Sequence, residues 1–276
     1  MARMRLGCSS ALIVSSVALV VSGCGGSGGN EAAGEKKEPR AVLAEAAHAF
    51  GKVKSYHFSA VQVDGLDTTS YSGDVFASGD GRLTLGSGPE APRAVFLRGV
   101  IYVKAAFAFW RAEMDEDVPD RIVRRFANRW IREEPKDGAG TRALLDDYGP
   151  KRLSACFGDT PRELSRRGAN ETVQGQEAAV LQETPKAPGS APSLYYVTAA
   201  EPARLLRIVQ TGRAVKGRLP RACGGDKVDT DVIRAEMTLS RFDQVPEVTA
   251  PKGAVGLEDL FRGGAGGAAP APRTAA

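Results

Sequence analysis

Histidine is nearly absent from this chain: His48 and His57 are the only two in 276 residues. They lie nine positions apart across a helix-to-strand boundary, with no ligand-rich helix nearby, so a zinc site of the usual spacing is excluded. Cysteine is scarce too, with four residues and no Cys-x-x-Cys pair. No Gly-x-Ser-x-Gly elbow, phosphate-binding Gly-Lys loop or Gly-x-Gly-x-x-Gly turn follows a strand pattern, which removes the common nucleophile and nucleotide sites. The acidic runs Asp115-Glu116-Asp117 and Asp146-Asp147 are sequence neighbours, which do not face each other on a helix. Solvated charge explains them, and no enzyme is expected. Nor is there an excess of one charge. The 37 Lys+Arg face 33 Asp+Glu, and loss of Arg3 and Arg5 with a leader leaves 35 against 33, or +2. A nucleic-acid partner would require a more basic face.

What is present begins at the N-terminus. Met1 to Arg5 is basic, Leu6 to Val21 is apolar, and Val21-Ser22-Gly23-Cys24 follows. This order reads as an export signal, too short and wrongly flanked for a spanning helix. The four residues resemble the lipobox of bacterial lipoproteins. That resemblance implies cleavage before Cys24 and a diacylglyceryl group on its sulfur, with palmitate-type chains in the membrane. Two or more acyl chains hold a protein stably where one does not. The alternative is an ordinary cleaved signal followed by an incidental cysteine. Residues 1–23 are thus the expected signal and 24–39 a tether, whose Gly-Gly-Ser-Gly-Gly start is a flexible leash. An exported chain folds under oxidising conditions, so Cys156 and Cys223 are expected to form a disulfide. A redox pair or metal site is the weaker alternative.

Beyond the tether, Val42, Leu43, Ala46, Ala47, Phe50 and Val53 recur at helical spacing over 40–54. The period then becomes two: Tyr56, Phe58 and Ala60 alternate with His57, Ser59 and Val61. Further strands are expected at 71–77 and 82–85, and as a hairpin at 94–97 and 100–104 around Arg98-Gly99. A helix is expected at 119–129, a Pro/Gly-rich break at 135–140 and a short helix at 141–148 stopped by Gly149-Pro150. An irregular helical stretch should cover 152–166. Strands return at 172–182, as a hairpin broken at Gly175, and at 194–198, 205–210 and 232–242. Loops are expected at 185–192 and 212–229, and an extended strap at 245–255. Residues 40–261 then form one domain, and the Gly/Ala/Pro-rich 262–276 is expected to be disordered. Runs of strands interrupted by helices argue for α+β with an antiparallel sheet and helices gathered on one side.

Aromatic residues make up only 7% of the chain, yet Phe107, Phe109, Trp110, Phe126 and Trp130 fall within two dozen positions. These rings are either core beneath the helices or the wall of an apolar pocket. The candidate pocket set is Phe58, Phe107, Phe109, Trp110, Ile122, Phe126 and Trp130, with 119–129 as its cover.

Several landmarks together resemble the LppX/LprAFG-type lipoproteins of actinobacterial cell envelopes, which are related in shape to LolA-like carriers. They are the Val-Ser-Gly-Cys box, Lys54-Ser55-Tyr56-His57-Phe58, Gly99 to Lys104 followed by Phe109-Trp110, Trp130 after a helix, and Leu239-Ser240-Arg241-Phe242 with Val245-Pro246-Glu247-Val248. The resemblance spans about residues 40–255. It implies a curved half-barrel sheet with helices on its concave side and a hydrophobic cavity for a lipid or glycolipid. The Cys156/Cys223 pair and the loops at 185–192 and 212–229 depart from that pattern. The expectation is therefore a monomeric, cofactor-free lipoprotein, anchored on the extracytoplasmic face of the cell membrane, that binds or carries a lipid. The alternative is a surface-displayed interaction or sensor module with a filled core.

Overall fold

The computed structural model describes residues 37–64, 67–134, 148–160, 162–223, 225, 227–228 and 232–262. The expected signal, the tether up to residue 36, the break and helix over 135–147 and the tail from 263 lie outside the described residues.

Helix α1 (Pro39–Phe50) opens with proline in its first turn, where the missing N–H costs nothing. It buries Leu43, Ala46, Ala47 and Phe50 along one stripe and ends at Gly51. Strand β1 (Ser55–Asp64) pairs with β2 (Asp67–Phe76), and β3 (Gly81–Leu85), β4 (Arg93–Leu97) and β5 (Val100–Lys104) follow as antiparallel neighbours. The β4–β5 turn has Arg98 at φ 53° and Gly99 at φ 81°, the left-handed pair a two-residue hairpin needs. The patch at 105–110, which has no strand alternation, starts helix α2 (Phe107–Glu113). Helix α3 (Asp120–Phe126) is shorter than expected: Pro119 sits outside it, and Asn128 at φ 59° ends the segment before Trp130.

Strand β6 (Ile131–Glu133) pairs with β5. Whether Gly149-Pro150 stops a preceding helix lies outside the described residues; Pro150 itself occupies the first turn of α4 (Pro150–Gly158), again using the position where proline is tolerated. One expectation needs correction: the stretch 152–166 is not continuously helical, because α4 ends at Gly158 and Glu163–Arg166 forms the edge strand β7. Strands β8 (Glu171–Val173) and β9 (Gln176–Thr184) make the expected hairpin, turning at Gln174 (φ 51°) and Gly175 (φ 74°). Strands β10 (Ser193–Thr198) and β11 (Leu205–Arg213) follow. The expected loop at 212–229 carries the small pair β12 (Gly217–Arg218) and β13 (Lys227–Val228), with a 3-10 turn at Arg221–Cys223 between them. Strand β14 (Val232–Ser240) lies between β1 and β11, and the strap after it ends in β15 (Val255–Gly256) and helix α5 (Leu257–Arg262).

Among the described residues thirteen strands join one open sheet in the order β15-β6-β5-β4-β3-β2-β1-β14-β11-β10-β9-β7, with β8 also on β9. The β15–β6 contact is parallel, and the other pairings are antiparallel. The fold is α+β, as expected. Residues directly opposite in the ladder share a face. One inner row reads Ile131, Val103, Ala94, Leu83, Gly73, Phe58, Leu239 across seven strands. A second reads Leu85, Tyr71, Ala60, Met237, Ile208, Tyr195, Leu181. One outer row is polar by contrast over seven strands, Lys104, Arg93, Thr84, Ser72, Ser59, Thr238, Arg207, and then runs into the buried Tyr196 and Val180.

The inner rows define two cores. Under α1, Leu43, Ala46 and Phe50 pack with Tyr56, Phe58, Leu181, Tyr195, Ile208 and Leu239. At the far edge, Ala105, Trp110, Val123, Phe126, Ile131 and Leu260 form a second cluster supplied by α2, α3, β6 and α5. Val103 packs against both. Cys156 and Cys223 form the expected disulfide, with their Cα atoms 4.8 Å apart, joining α4 to the 3-10 turn. By chain-entropy reasoning, closing a loop of that length stabilises the fold by roughly 4 kcal/mol.

Candidate functional site: the inner face of the sheet

The inner face is where apolar area is concentrated, and its three parts differ in how they are covered. The second cluster is filled. The Trp110 ring is 5.4 Å from Phe126 and 5.5 Å from Phe109, the latter nearly edge-on. Trp110 is 5% exposed and Phe126 1%. Phe107, Phe109 and Ile122 pack partly buried around them, and the Arg124 guanidinium lies 4.9 Å over Phe107. Trp130 is half-buried, and its carbonyl accepts from the Val255 N–H at 2.9 Å. The indole N–H of Trp110 is buried without a hydrogen-bond partner among the described residues. Helix α3 is tied down: Arg125 Nη1 donates to the Leu260 carbonyl at 3.1 Å, and Arg111 Nη1 to that of Val118 at 2.6 Å.

Phe107, Phe109, Trp110, Ile122 and Phe126 therefore lie together at the far edge, Trp130 immediately precedes β6 there with only its carbonyl engaged among the described residues, and Phe58 belongs to the main core, fully buried. Its ring stacks on Tyr148 at 4.9 Å with the planes 7° apart, and Tyr71 meets both rings edge-on. Gly73 makes room for that stack, since a Cβ there would sit 2.9 Å from the Phe58 ring and 2.5 Å from the Arg82 carbonyl. The Tyr56 hydroxyl donates to the Tyr148 carbonyl, and burial pushes its pKa far up.

Between the stack and the second cluster lie Leu83, Ala94 and Val103, all half-buried. This strip was missed as part of a site, although the alternation in 82–85, 94–97 and 100–104 already pointed these side chains to one face. Below α4, Arg162 Nη1 is 2.7 Å from Glu183 Oε2 and donates to the Tyr195 hydroxyl at 2.8 Å, which donates in turn to Glu183 at 2.5 Å. Burial, with the Glu183 carboxylate beside it, raises the Tyr195 pKa well beyond its ordinary value. Nothing local in the sequence announces this trio.

On the outer face His57 Nδ1 is 2.7 Å from Asp74 Oδ1, and Arg241 and Arg82 also reach that carboxylate, each at 2.8 Å. His48 is exposed on α1. Among the described residues no three of His, Cys, Asp and Glu gather at metal-binding distance, and no helix is long and apolar enough to cross a membrane. Two shallow grooves, of about 350 and 230 Å³, open beside α1.

No family model matches the chain, and no curated protein does. Solved structures do. The crystal structure of LprF from Mycobacterium bovis aligns at 16% identity and TM-score 0.49, covering 79% of this chain and 97% of that one. The Mycobacterium tuberculosis lipoprotein LppX aligns at 14% and 0.44, covering 76% and 98%. The Pseudomonas aeruginosa MucA/MucB complex aligns at 11% and 0.34, covering 80% and 60%. The first two belong to the group of lipoproteins that the sequence resembles.

Proposed function

We propose that this chain is a non-enzymatic lipoprotein, tethered through Cys24 to the extracytoplasmic face of the membrane, that takes an apolar chain of a lipid or glycolipid against the inner face of its sheet. One observation carries the reading: the inner row from Ile131 to Leu239 is apolar through seven strands, yet left partly exposed at Leu83, Ala94 and Val103. An acyl chain laid along that strip would remove both surfaces from water. At about 0.8 kcal/mol per CH₂, ten buried methylenes contribute about 8 kcal/mol. That is micromolar-scale affinity before the cost of ordering the chain is subtracted.

The test is to purify the protein, extract it with organic solvent and examine the extract by mass spectrometry, beside an Ala94→Trp variant that fills the strip. Co-purified lipid that Ala94→Trp loses while keeping the parent circular dichroism supports the reading. No lipid in the parent, together with no uptake of an apolar fluorescent probe, overturns it. The packing of Phe109, Trp110 and Phe126 on one another favours a second reading, a tethered interaction module with a filled core. That module is what remains if the extract is empty.

A further inference from the structure

The inner face does not stay apolar to its end. One step along the strands from the row that runs from Tyr71 to Leu181, it presents Thr69, Gln62, Ala235, Gln210, Ser193 and Glu183. The carboxylate at one end is neutralised, because Glu183 is buried and paired with Arg162 at 2.7 Å. The Cys156 carbonyl accepts from Arg162 Nη2 at 3.3 Å, so the disulfide also stands at that end. The other end is open, with Gln62 and Thr69 exposed and Ala235 and Gln210 half-buried between. Among the described residues Gln62 Oε1 accepts from the Tyr71 hydroxyl and Gln210 Nε2 donates to the Ser193 hydroxyl, each at 3.4 Å. Both carboxamides keep a free N–H, and Gln210 keeps its oxygen. They flank the small Ala235, which leaves a shelf two strand spacings wide, about 10 Å.

A carboxamide both donates and accepts, and so does a hydroxyl, so the two are matched. A phosphate only accepts and is held best by a free cation. This row offers none: Arg162, which reaches it, is already held by Glu183, and the exposed Asp67 lies two positions before Thr69 on the same face. We infer that this shelf reads the headgroup of the bound lipid, with Gln62 and Gln210 accepting an uncharged, hydroxyl-bearing head and discriminating against phosphate-headed lipids. The inference rests on the acyl-chain reading above. Tyr71 joins the two regions. It sits opposite Leu85, two residues from Leu83 of the strip, its ring meets Phe58 and Tyr148, and its hydroxyl reaches Gln62.

The experiment uses the chain from residue 24 with Cys24→Ser, which keeps every described residue and carries no acyl group of its own. Stripped of lipid, it is loaded with an apolar fluorescent probe. The probe is then displaced by monogalactosyl diacylglycerol or by phosphatidylglycerol with the same acyl chains. The galactosyl lipid is expected to bind about tenfold more tightly, since the phosphate finds no cation on the shelf. Gln62→Ala and Gln210→Ala each weaken it about fivefold, the loss of one net hydrogen bond, and leave probe binding unchanged. Gln62→Arg supplies a cation and raises the affinity for phosphatidylglycerol. Thr84→Ala, on the outer face, changes neither lipid. Equal affinity for the two lipids, or glutamine variants that bind the galactosyl lipid like their parent, overturns the inference and leaves the acyl-chain reading standing. Failure of that reading shows in the probe itself: a parent that never takes it up, and binds neither lipid, overturns both.

Discussion

Replacing Glu183 by leucine tests the account of the main core most directly. The Glu183 side chain is 3% exposed and that of Arg162 10%, so the carboxylate is the counter-charge for a guanidinium that water scarcely reaches. Leucine preserves much of the shape and removes the charge, which leaves Arg162 buried beside the Phe157 and Tyr195 rings with only hydrogen bonds to neutral oxygens. Breaking a buried pair from one side costs about 3–5 kcal/mol, against about 0–1 for an exposed pair. In a domain of this size that is a fall in Tm of roughly 10–15 °C. The assay is thermal and urea unfolding of the parent, Glu183→Leu, and a triple variant that adds Arg162→Leu and Tyr195→Phe. The triple leaves no charge or hydroxyl stranded, so it recovers most of the loss. Glu163→Gln, which breaks the exposed pair with Lys186 at 2.6 Å, serves as the control and costs less than about 1 kcal/mol. A single variant as mild as the control, or a triple no better than the single, refutes the reasoning.

Tyr56 and Tyr195 hold their protons when folded, while unfolded tyrosine ionises near pH 10. The folded state therefore binds more protons above that pH. Their contribution to stability is level below about pH 10 and falls above it by about 1.4 kcal/mol per pH unit for each tyrosine; Tyr56→Phe removes about half of that contribution to the slope in urea titrations. Gly73→Ala drives a methyl into the Arg82 carbonyl and the Phe58 ring, so it should cost about 1–3 kcal/mol by chemical denaturation. Cys24→Ala should move the protein from the membrane pellet to the soluble fraction on cell fractionation, and persistence in the pellet removes the anchor.

What could be read in advance was local. Tyr56, Phe58 and Ala60 declared their face by period alone. Arg98-Gly99 and Gly175 declared hairpins because tight turns demand left-handed backbone. What escaped was set at a distance or by ambiguous residues. Pro150 can follow one helix or start another, and only the structure shows that it opens α4. Strand β7 is mostly exposed along an edge, so it has no alternation to betray it. Ala105 to Trp110 lacks a polar face, which begins only at Arg111, so its helix left no periodic trace. The aromatic set was legible as a group for Phe107, Phe109, Trp110 and Phe126. Phe58 could not be separated from them until β1 was placed six strands from β15 in the sheet. Arg162 and Glu183 lie 21 positions apart, and nothing in either neighbourhood points to the other.

The strap after β14 has a consequence for the order of assembly. Phe126, Trp110 and Ile131 wait for Leu260, which arrives 129 residues after Ile131 and is carried by the last described helix. A chain whose last residues are still to be made can gather Leu43, Tyr56 and Phe58, yet it has nothing to close over the far rings. That corner is thus the final piece to be set during maturation. A protease clipping between Pro246 and Val255 would undo it first, while α1 and its strands stayed whole.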